Sequence, residues 1–296
     1  SEMWERFCFY GMRGMLVVFM VSHLGMNEKV ANLQYGATQA WVYAFTFIGG
    51  LFADKILGLR KSLFWGGILM IIGSVILAID PKNFFFIGLG FTIVGTGFFK
   101  PNISSMVGQL YPDGDPRRDA GFSFFYMGVN LGALIGGYIC IAVAEGSMWQ
   151  SIVPEHLRWN VGFGFAAIVM IISLLTFTQT QKSLGPIGLS PLKEMMVSKR
   201  KQLEIVTYVG SLLVIPLIIV MVANTHYTDY FMICIGPASI LYLLYEMKNF
   251  TLAENKKLFA ALIFIIFSIF FWAFFEQSGG SLSLFAVNNL NNTIGG

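Results

Sequence analysis

Long apolar runs recur from one end of the chain to the other, and they limit its possible folds more than any other feature. A helix needs about 20 mainly apolar residues to cross the hydrocarbon core of a bilayer. Runs of that order lie at positions 1–24, 36–57, 62–80, 84–110, 121–144, 159–178, 203–223, 230–247 and 258–287. Only 12% of the residues are charged, against about 25% in soluble domains. The sequence therefore predicts an all-α polytopic membrane protein with about nine transmembrane helices.

Basic residues between the runs predict how the chain is oriented, because cytoplasmic loops of membrane proteins are enriched in Lys and Arg. If the N-terminus of the first run is cytoplasmic, the outer loops contain only Lys29, Lys82 and Arg158. The cytoplasmic loops then contain Lys55, Arg60, Lys61, Arg117, Arg118, Lys182, Lys193, Lys199, Arg200, Lys201, Lys248, Lys256 and Lys257. We therefore expect a multi-pass protein of the cell inner (plasma) membrane with a cytoplasmic N-terminus.

The longest cytoplasmic connection starts at position 179, QTQKSLGPIGLSPLKEMMVSKRK, and contains Pro, Gly and Ser. It predicts a linker over 179–202 that follows an N-terminal six-helix bundle over 1–178. We expect two additional transmembrane helices over 203–248, and over 257–296 the first helix of a second bundle whose remainder is missing. Because the chain starts at Ser1 without a Met and stops soon after an apolar run, we expect a fragment open at both ends, including the start of the first helix.

Four charged residues lie in the first run, within the stretch EMWERFCFYGMR at positions 2–13. An α-helix turns about 100° per residue, so that Glu2, Glu5, Arg6, Phe9 and Arg13 share one stripe of its surface. A charged side chain at the bilayer centre costs roughly 2.5–3.5 kcal/mol on insertion scales, so the stripe must face protein or water. A structural ion pair is one interpretation. Four charges exceed what an anchor needs, which favours a path for a solute or for protons.

Lys100 is the candidate partner in the fourth run, within GTGFFKPNISSMVGQLY. It lies some sixteen residues from the outer end, or about 24 Å at 1.5 Å per residue, and Glu5 lies at a similar depth. We therefore expect Lys100 to meet Glu2 or Glu5, beside a bend at Pro101. The charge of a buried lysine among carboxylates depends on whether a partner is protonated or a ligand is present. A proton-coupled site requires this property.

A second ion pair is predicted between Arg13 and Glu276. Arg13 lies in the outer half of the first run, and Glu276, in FFWAFFEQSGGSLSLFA, lies in the outer half of the ninth. Such a bridge would connect the first half of the molecule to the second. Tyr43, Tyr126 and Asn130 are candidate substrate-binding groups, because they can hydrogen-bond a polar ligand. Hydrogen bonds between helices are the alternative for these three residues.

The loop GGLFADKILGLRK combines Asp54, at the end of the second run, with Arg60 and Lys61. It resembles the loop of the major facilitator superfamily that latches the cytoplasmic side of the bundle. The three cysteines are widely spaced in apolar stretches. We expect buried thiols there, with neither a disulfide framework nor a metal site.

Together these stretches are similar to the proton-dependent oligopeptide transporter family of the major facilitator superfamily, with the chain as its N-terminal part. EMWERFCFYGMR resembles the family's E-x-x-E-R motif, and FFKPNISSMVGQLY, FYMGVNLGA and FWAFFEQSGGSL resemble its fourth, fifth and seventh helices. The resemblance covers the whole chain. It implies a twelve-helix major facilitator fold, with two extra helices between the bundles in many prokaryotic members. It also implies symport of di- and tripeptides with protons by alternating access.

The resemblance further implies roles for single residues. Family positions that serve proton coupling and hold the peptide carboxylate correspond to Glu2, Glu5, Arg6 and Lys100. Those that line the pocket correspond to Tyr10, Tyr43 and Asn130, and those that form a bridge between the bundles correspond to Arg13 and Glu276. Phe9 stands where many members have a Tyr, and the second run lacks the His of animal-type members. A histidine-based proton relay is therefore not expected.

Three other functions are weighed against peptide symport. Another anionic solute such as nitrate fits the same fold, although the intact E-x-x-E-R stripe favours peptides. An intramembrane enzyme such as a prenyltransferase would need Asp-rich metal motifs, and no apolar run contains two Asp residues. A non-transporting fragment is the third possibility. We expect no enzyme, no cofactor besides protons as the coupling ion, no nucleic-acid partner, and a monomer embedded in the lipid bilayer.

Overall fold

The computed structural model describes residues 1–112, 114–192 and 194–290, and within these ranges it contains helices and no strand. Its α-helices are α1 Glu2–Ser22, α2 Glu28–Phe52, α3 Leu59–Ile79, α4 Phe85–Gln109, α5 Arg117–Ala144, α6 Arg158–Thr180, α7 Val197–Ala223, α8 Thr225–Glu246, α9 Leu252–Phe275 and α10 Ser281–Asn289. The prediction of an all-α protein is confirmed. Lys193 of the predicted cytoplasmic loops and positions 291–296 of the predicted final segment lie outside the described residues.

Each predicted apolar run corresponds to one of the helices α1 to α9. Seven helical stretches, those that contain α2, α3, α5, α6, α7, α8 and α9, are long and apolar enough to cross a membrane. α1 and α4 are not among them, because α1 has four charged residues and α4 contains several glycines as well as Lys100 and Asn102. α1 and α4, the two long helices that are not apolar enough to be among these seven, are therefore the two that supply the predicted proton-coupling residues.

Helices α1 to α6 pack around a shared apolar core. Small residues bring α1 and α5 close together, as in many membrane helix pairs. A Cβ atom at Gly132 would collide with the carbonyl oxygen of Met3, and one at Gly136 would collide with that of Phe7. This close approach encloses the first half of α1, so that its charged residues lie inside the protein.

Helices α7 and α8 lie on the outside of this unit, against α2 and α4. The connection that precedes α7 is shorter than the predicted linker over 179–202. α6 continues to Thr180, and α7 starts at Val197, so that the basic residues Lys199, Arg200 and Lys201 belong to the first turns of a helix. Between the two helices the chain forms a 3₁₀ turn at Gln181–Leu184 and further turns.

The ninth apolar run is interrupted, whereas the sequence predicts one continuous helix over 258–287. α9 ends at Phe275, a 3₁₀ turn covers Glu276–Gly279, and α10 starts at Ser281. Gly279 has a local reason to be glycine, because a Cβ atom there would collide with the hydroxyl of Tyr35 on α2. The interruption brings the backbone of the turn against α1 and α2 and presents Glu276 to them.

Candidate functional site

The start of α1 forms a buried ion cluster. Arg6 Nε lies 3.1 Å from Glu2 Oε1 and also pairs with Glu5. Glu5 is fully buried, and Arg6 is 3% exposed. One guanidinium is therefore shared by two carboxylates on the same helix. With both carboxylates ionised, the cluster has one net negative charge, which is costly in an environment without water.

Each member of this cluster has a buried polar atom with no hydrogen-bond partner in the described part of the chain, namely Glu2 Oε2, Glu5 Oε1 and Arg6 Nη2. A buried polar atom without a partner is destabilising by about 1–3 kcal/mol, and more when it is charged. A proton can satisfy a carboxylate oxygen, and an anion can satisfy a guanidinium N–H. The cluster is therefore chemically able to take up a proton and an anionic group.

Lys100 does not form the expected ion pair with Glu2 or Glu5 among the residues that the structure describes. Its ammonium lies 4.6 Å from the centroid of the Tyr43 ring and 5.8 Å from that of Phe9. The physical reason is that Arg6, on the same helix as both carboxylates, already pairs with each of them. Lys100 approaches from α4 and rests on aromatic faces, which attract cations.

Phe9 nevertheless keeps Lys100 close to the ion cluster. The guanidinium carbon of Arg6 lies 5.3 Å from the centroid of the same Phe9 ring. Two cations from different helices therefore flank one aromatic ring. Phe9 lacks the hydroxyl that a Tyr would offer, but its ring still stabilises both positive charges through its π electrons.

The predicted contact between Arg13 and Glu276 is present, and it has a third member. Arg13 Nη2 lies 2.8 Å from Glu276 Oε2, and the Arg13 side chain is 8% exposed. Tyr35 on α2 joins the two residues, because its hydroxyl accepts a hydrogen bond from Arg13 Nε at 2.7 Å and donates one to Glu276 Oε2 at 3.2 Å. Tyr43 donates a longer bond of 3.4 Å to Glu276 Oε1.

Tyr35 was not among the candidates from the sequence, because the predicted second run starts one residue later, at position 36. A signal was available: Tyr35, Gln39 and Tyr43 recur every four residues and therefore lie on one face of a helix. The structure starts α2 at Glu28, so that the helix begins about two turns before the predicted run and includes Tyr35. Tyr35 is almost completely buried there, against Arg13.

Tyr10 lies between the two ion clusters. Its ring centroid is 6.0 Å from the guanidinium carbon of Arg6 and 5.6 Å from that of Arg13. Tyr126 and Asn130, on α5, are both exposed, and neither makes a hydrogen bond in the described residues. The structure thus brings Tyr10 and Tyr43 to the charged groups, and leaves Tyr126 and Asn130 available on the face of α5.

A cavity of about 1050 Å³ lies beside the Arg13–Glu276 contact, between α2, α8 and α9. Its lining is mostly apolar, with a few polar groups that include Tyr35, Gln39, Tyr43 and Glu276. Apolar walls with few polar groups are typical of sites for small organic molecules. The cavity adjoins the Arg13–Tyr35–Glu276 network, which connects α1 and α2 to the turn after α9.

The three residues of the predicted cytoplasmic latch differ in their contacts. Asp54 is exposed and forms no ion pair within the described ranges. Arg60 Nη2 donates to the carbonyl oxygen of Gly185 at 2.7 Å, and Lys61 Nζ lies 2.6 Å from Glu204 Oε1. These cations therefore fasten α3 to the connection after α6 and to α7, and Glu204 is a partner that the sequence did not single out.

A model of a known family matches most of the chain: the PTR2 model, described as the POT family, covers residues 60–296. The chain belongs to the POT family. The charged stripe of α1 precedes the matched residues, but relatives extend over it. The uncharacterized transporter YclF of Bacillus subtilis is 33% identical over 100% of the chain, and the peptide transporter YePEPT of Yersinia enterocolitica is 33% identical over 97%.

Solved structures of POT family members have the same fold. One is a mutant of a peptide transporter POT in complex with alafosfalin, which is 31% identical over 100% of the chain with a TM-score of 0.81. Another is tetrameric PepTSo2, which is 27% identical over 97% of the chain with a TM-score of 0.84. The major facilitator fold predicted from the sequence is therefore confirmed, and the chain is an integral membrane protein.

The chain spans less than two thirds of the proteins that it matches. It covers 60% of YclF, 58% of YePEPT, and 60% of each of the two structures. The α1 cluster, Lys100 and the Arg13–Tyr35–Glu276 network all lie within this shared part.

Proposed function

We propose that the protein transports di- and tripeptides together with protons, by alternating access. The observation that carries the proposal is the buried cluster on α1, in which Arg6 is shared by two carboxylates that each retain an unpartnered oxygen. A structural ion pair needs neither the second carboxylate nor the free oxygens. Groups that must change partners during a reaction cycle need both.

In the proposed cycle, a proton binds to Glu2 or Glu5 and removes one negative charge from around Arg6. Arg6 keeps the other carboxylate, and its Nη2 is then available to an incoming anion. Lys100, which shares the Phe9 ring with Arg6, supplies a second cation within reach. A peptide carboxylate held by these two cations would couple substrate binding to protonation, since each change favours the other.

The remaining pocket residues fit a peptide backbone. Tyr10 and Tyr43 lie next to the cations, and Tyr126 and Asn130 are exposed on α5 with free hydrogen-bonding capacity. We assign these four residues to contacts with the amides of the substrate. Arg13 and Glu276 are assigned to a gate, because their contact connects α1 to the turn after α9 and can exist only while these elements are close.

Localisation, orientation and oligomeric state are proposed here as the sequence predicts them. We propose a protein of the inner (plasma) membrane with a cytoplasmic N-terminus, which is a transporter rather than an enzyme, needs no cofactor other than the coupling proton, and functions as a monomer. The tetrameric PepTSo2 structure makes oligomeric state the first of these to measure. We also propose that residues 1–178 act as one bundle, followed by the linker at 179–202, the two additional helices at 203–248, and the first helix of a second bundle at 257–296.

Nitrate or another anion is the alternative substrate, and a fragment without transport activity is the alternative to a transporter. Peptides are favoured because a relative that covers 97% of the chain, YePEPT of Yersinia enterocolitica, is a peptide transporter.

The test is dipeptide uptake into proteoliposomes that contain the protein, expressed from its complete coding sequence, with an imposed pH gradient. Lys100→Ala should abolish uptake driven by the gradient, because it removes the second cation of the proposed carboxylate site. Lys82→Ala, which removes an exposed lysine of an outer loop, is the matched control. Uptake at the control rate in Lys100→Ala would overturn the assignment of Lys100.

Competition distinguishes the substrates. Unlabelled di- and tripeptides should reduce the uptake of a labelled dipeptide, whereas free amino acids should not. If nitrate competes and peptides do not, the alternative substrate class is correct. No uptake of either solute by well-folded protein would support the fragment without activity.

A further inference from the structure

A second cavity, of about 370 Å³, lies between α3, α6 and α7, at the end of the bundle that is predicted to be cytoplasmic, and none of the α1 cluster residues lines it. We call it the lateral cavity, and it is lined by Arg60, Lys61, Phe64, Trp65, Gln181 and Tyr208 among others. Phe64 and Lys61 are both exposed there. The opening is therefore on the outer side of the bundle, where the surface of a membrane protein meets lipid.

The cations around this cavity outnumber the anions. Lys61 Nζ and Arg200 Nε both approach the same oxygen of Glu204, at 2.6 and 3.8 Å. Arg60 has no carboxylate partner and is hydrogen-bonded through Nη2 to the carbonyl oxygen of Gly185. Three cations thus lie near one carboxylate, and two of them share it. The cluster has a net charge of about +2, and it attracts an anion.

Donors around the cavity are also unsatisfied. The Nε atoms of Arg60 and Arg200 are both buried and have no hydrogen-bond partner among the described residues. A guanidinium N–H in such a position is costly unless an acceptor reaches it. Arg60 lines the cavity directly, so its guanidinium supplies positive charge to a group placed there.

The floor of the cavity continues as an apolar and aromatic surface. Phe64 and Ile68 follow Arg60 at intervals of four residues along α3, so the three lie on one face, with Ile68 about 12 Å further into the membrane. The rings of Trp65 and Tyr208 contact each other at a tilt of 45°, with 4.8 Å between centroids, and Trp65 Nε1 donates to Ser211 Oγ at 2.9 Å. Amphipathic aromatic residues of this kind are enriched at the level of lipid headgroups.

We propose that the lateral cavity binds the headgroup of one anionic phospholipid. Its phosphate would lie between the positive charges of Arg60 and Lys61, and an acyl chain would lie along Phe64 and Ile68. Basic pockets between helices on the cytoplasmic side are suited to such headgroups. A free phosphate would use the cations but leave the apolar floor uncovered, and a zwitterionic lipid would not neutralise the excess positive charge.

The experiment is native mass spectrometry of the purified protein, expressed from its complete coding sequence, with added dioctanoyl phosphatidylglycerol. We expect one retained lipid per protein, and no comparable retention of dioctanoyl phosphatidylcholine. Arg60→Gln should weaken the retention by about tenfold, as expected for the loss of a charged hydrogen bond. Arg60→Lys keeps the charge but lacks the guanidinium, and should fall between the two.

Arg117→Gln is the matched control. Arg117 is an exposed arginine at the same end of the protein, paired with Asp115 and outside the lateral cavity, so its loss should leave retention unchanged. Equal loss in Arg117→Gln and Arg60→Gln would mean unspecific attraction to a basic surface, and would overturn the proposal. Equal retention of phosphatidylcholine, or displacement of the lipid by millimolar inorganic phosphate, would overturn it as well. None of these readouts depends on transport, so they stand apart from the test of peptide uptake.

Discussion

Two ion pairs connect the α1–α6 unit to the later helices, and they do so in different ways. At the end that is predicted to be cytoplasmic, Lys61 on α3 pairs with Glu204 on α7. At the end that is predicted to be the outer one, Arg13 on α1 pairs with Glu276 after α9. The chemistry is the same in both, a basic side chain against a glutamate. The surroundings differ, and they determine what each contact can do.

The contact to α7 is one of several along the helix. Trp65 donates to Ser211, and Trp41 of α2 donates to Thr228 of α8 at 3.0 Å. Gln34 Nε2 donates to the carbonyl oxygen of Ala223, where α7 ends. Polar contacts from the cytoplasmic end to the outer end therefore fasten α7 and α8 to the unit. Breaking one of them leaves the others in place.

The contact to α9 is concentrated at one end. Glu276 receives Arg13, Tyr35 and Tyr43 within a single turn, and Trp272 lies 6.1 Å from Tyr43 between ring centroids. Among the described residues, the remainder of α9 makes few contacts with the α1–α6 unit. One local network that can open without disrupting a long interface is suited to a gate, whereas the fastening of α7 is suited to permanent attachment.

Reversing the charges of the gate should have the largest effect. Removing one partner of a buried ion pair typically costs about 3–5 kcal/mol. Arg13→Glu and Glu276→Arg should therefore each reduce dipeptide uptake to near background, and the double exchange should recover a substantial part of it. Arg158→Glu, at an arginine near the same outer end, is the control for charge reversal alone. A double exchange without recovery, at equal expression and folding, would show that the two residues do not act as a pair.

Tyr35→Phe should have an intermediate effect, because it leaves Arg13 and Glu276 in contact but removes the hydroxyl between them. Buried partners left without a hydrogen bond cost about 1–3 kcal/mol. The outer side should open more often. The measurement is the reaction rate of Ser281→Cys with a membrane-impermeant maleimide, in a Cys234→Ser background, since Cys8 and Cys140 are buried.

The control for this experiment is Tyr138→Phe, at an exposed tyrosine of α5. It should leave the labelling rate unchanged. If Tyr35→Phe also leaves the rate unchanged, Tyr35 fills space in the network and does not strengthen the gate.

Glu204→Gln should have the smallest effect on transport and a measurable effect on stability. The Lys61 side chain is 46% exposed, so solvent screening limits the value of its pair with Glu204 to about 1 kcal/mol. A small decrease in the midpoint of thermal unfolding is expected, with uptake largely retained because the other contacts of α7 persist. Glu155→Gln, at an exposed glutamate, is the control. Loss of uptake with an unchanged midpoint would contradict the distinction between attachment and gate.

Much of the site could be predicted from helical periodicity and depth. The stripe of Glu2, Glu5 and Arg6 follows from a turn of about 100° per residue, and the contact of Arg13 with Glu276 follows from counting residues to the outer end. Both arguments succeed because an α-helix has a known rise and turn per residue, so that residue spacing gives the position along and around the helix axis. Glu204 could also have been found, because a lone carboxylate in an apolar run requires a partner.

Other features depend on which of several possible partners a side chain contacts. Lys100 has the depth to meet Glu5, but Arg6 on the same helix already occupies the carboxylates, and depth does not reveal such competition. Tyr35 was missed because the predicted second run starts at position 36, one residue after it. The interruption after Phe275 depends on the contact of Gly279 with Tyr35, two residues far apart in the sequence.

The sequence by itself determined the order of nine apolar segments and the residues that cannot face lipid, because the cost of exposing charge to hydrocarbon acts on each helix separately. The orientation of these segments stays an expectation. The tertiary structure decided the partners. Which carboxylate meets which cation, where α9 breaks, and which helices are fastened along their length depend on distances between helices, and no spacing within one helix contains that information.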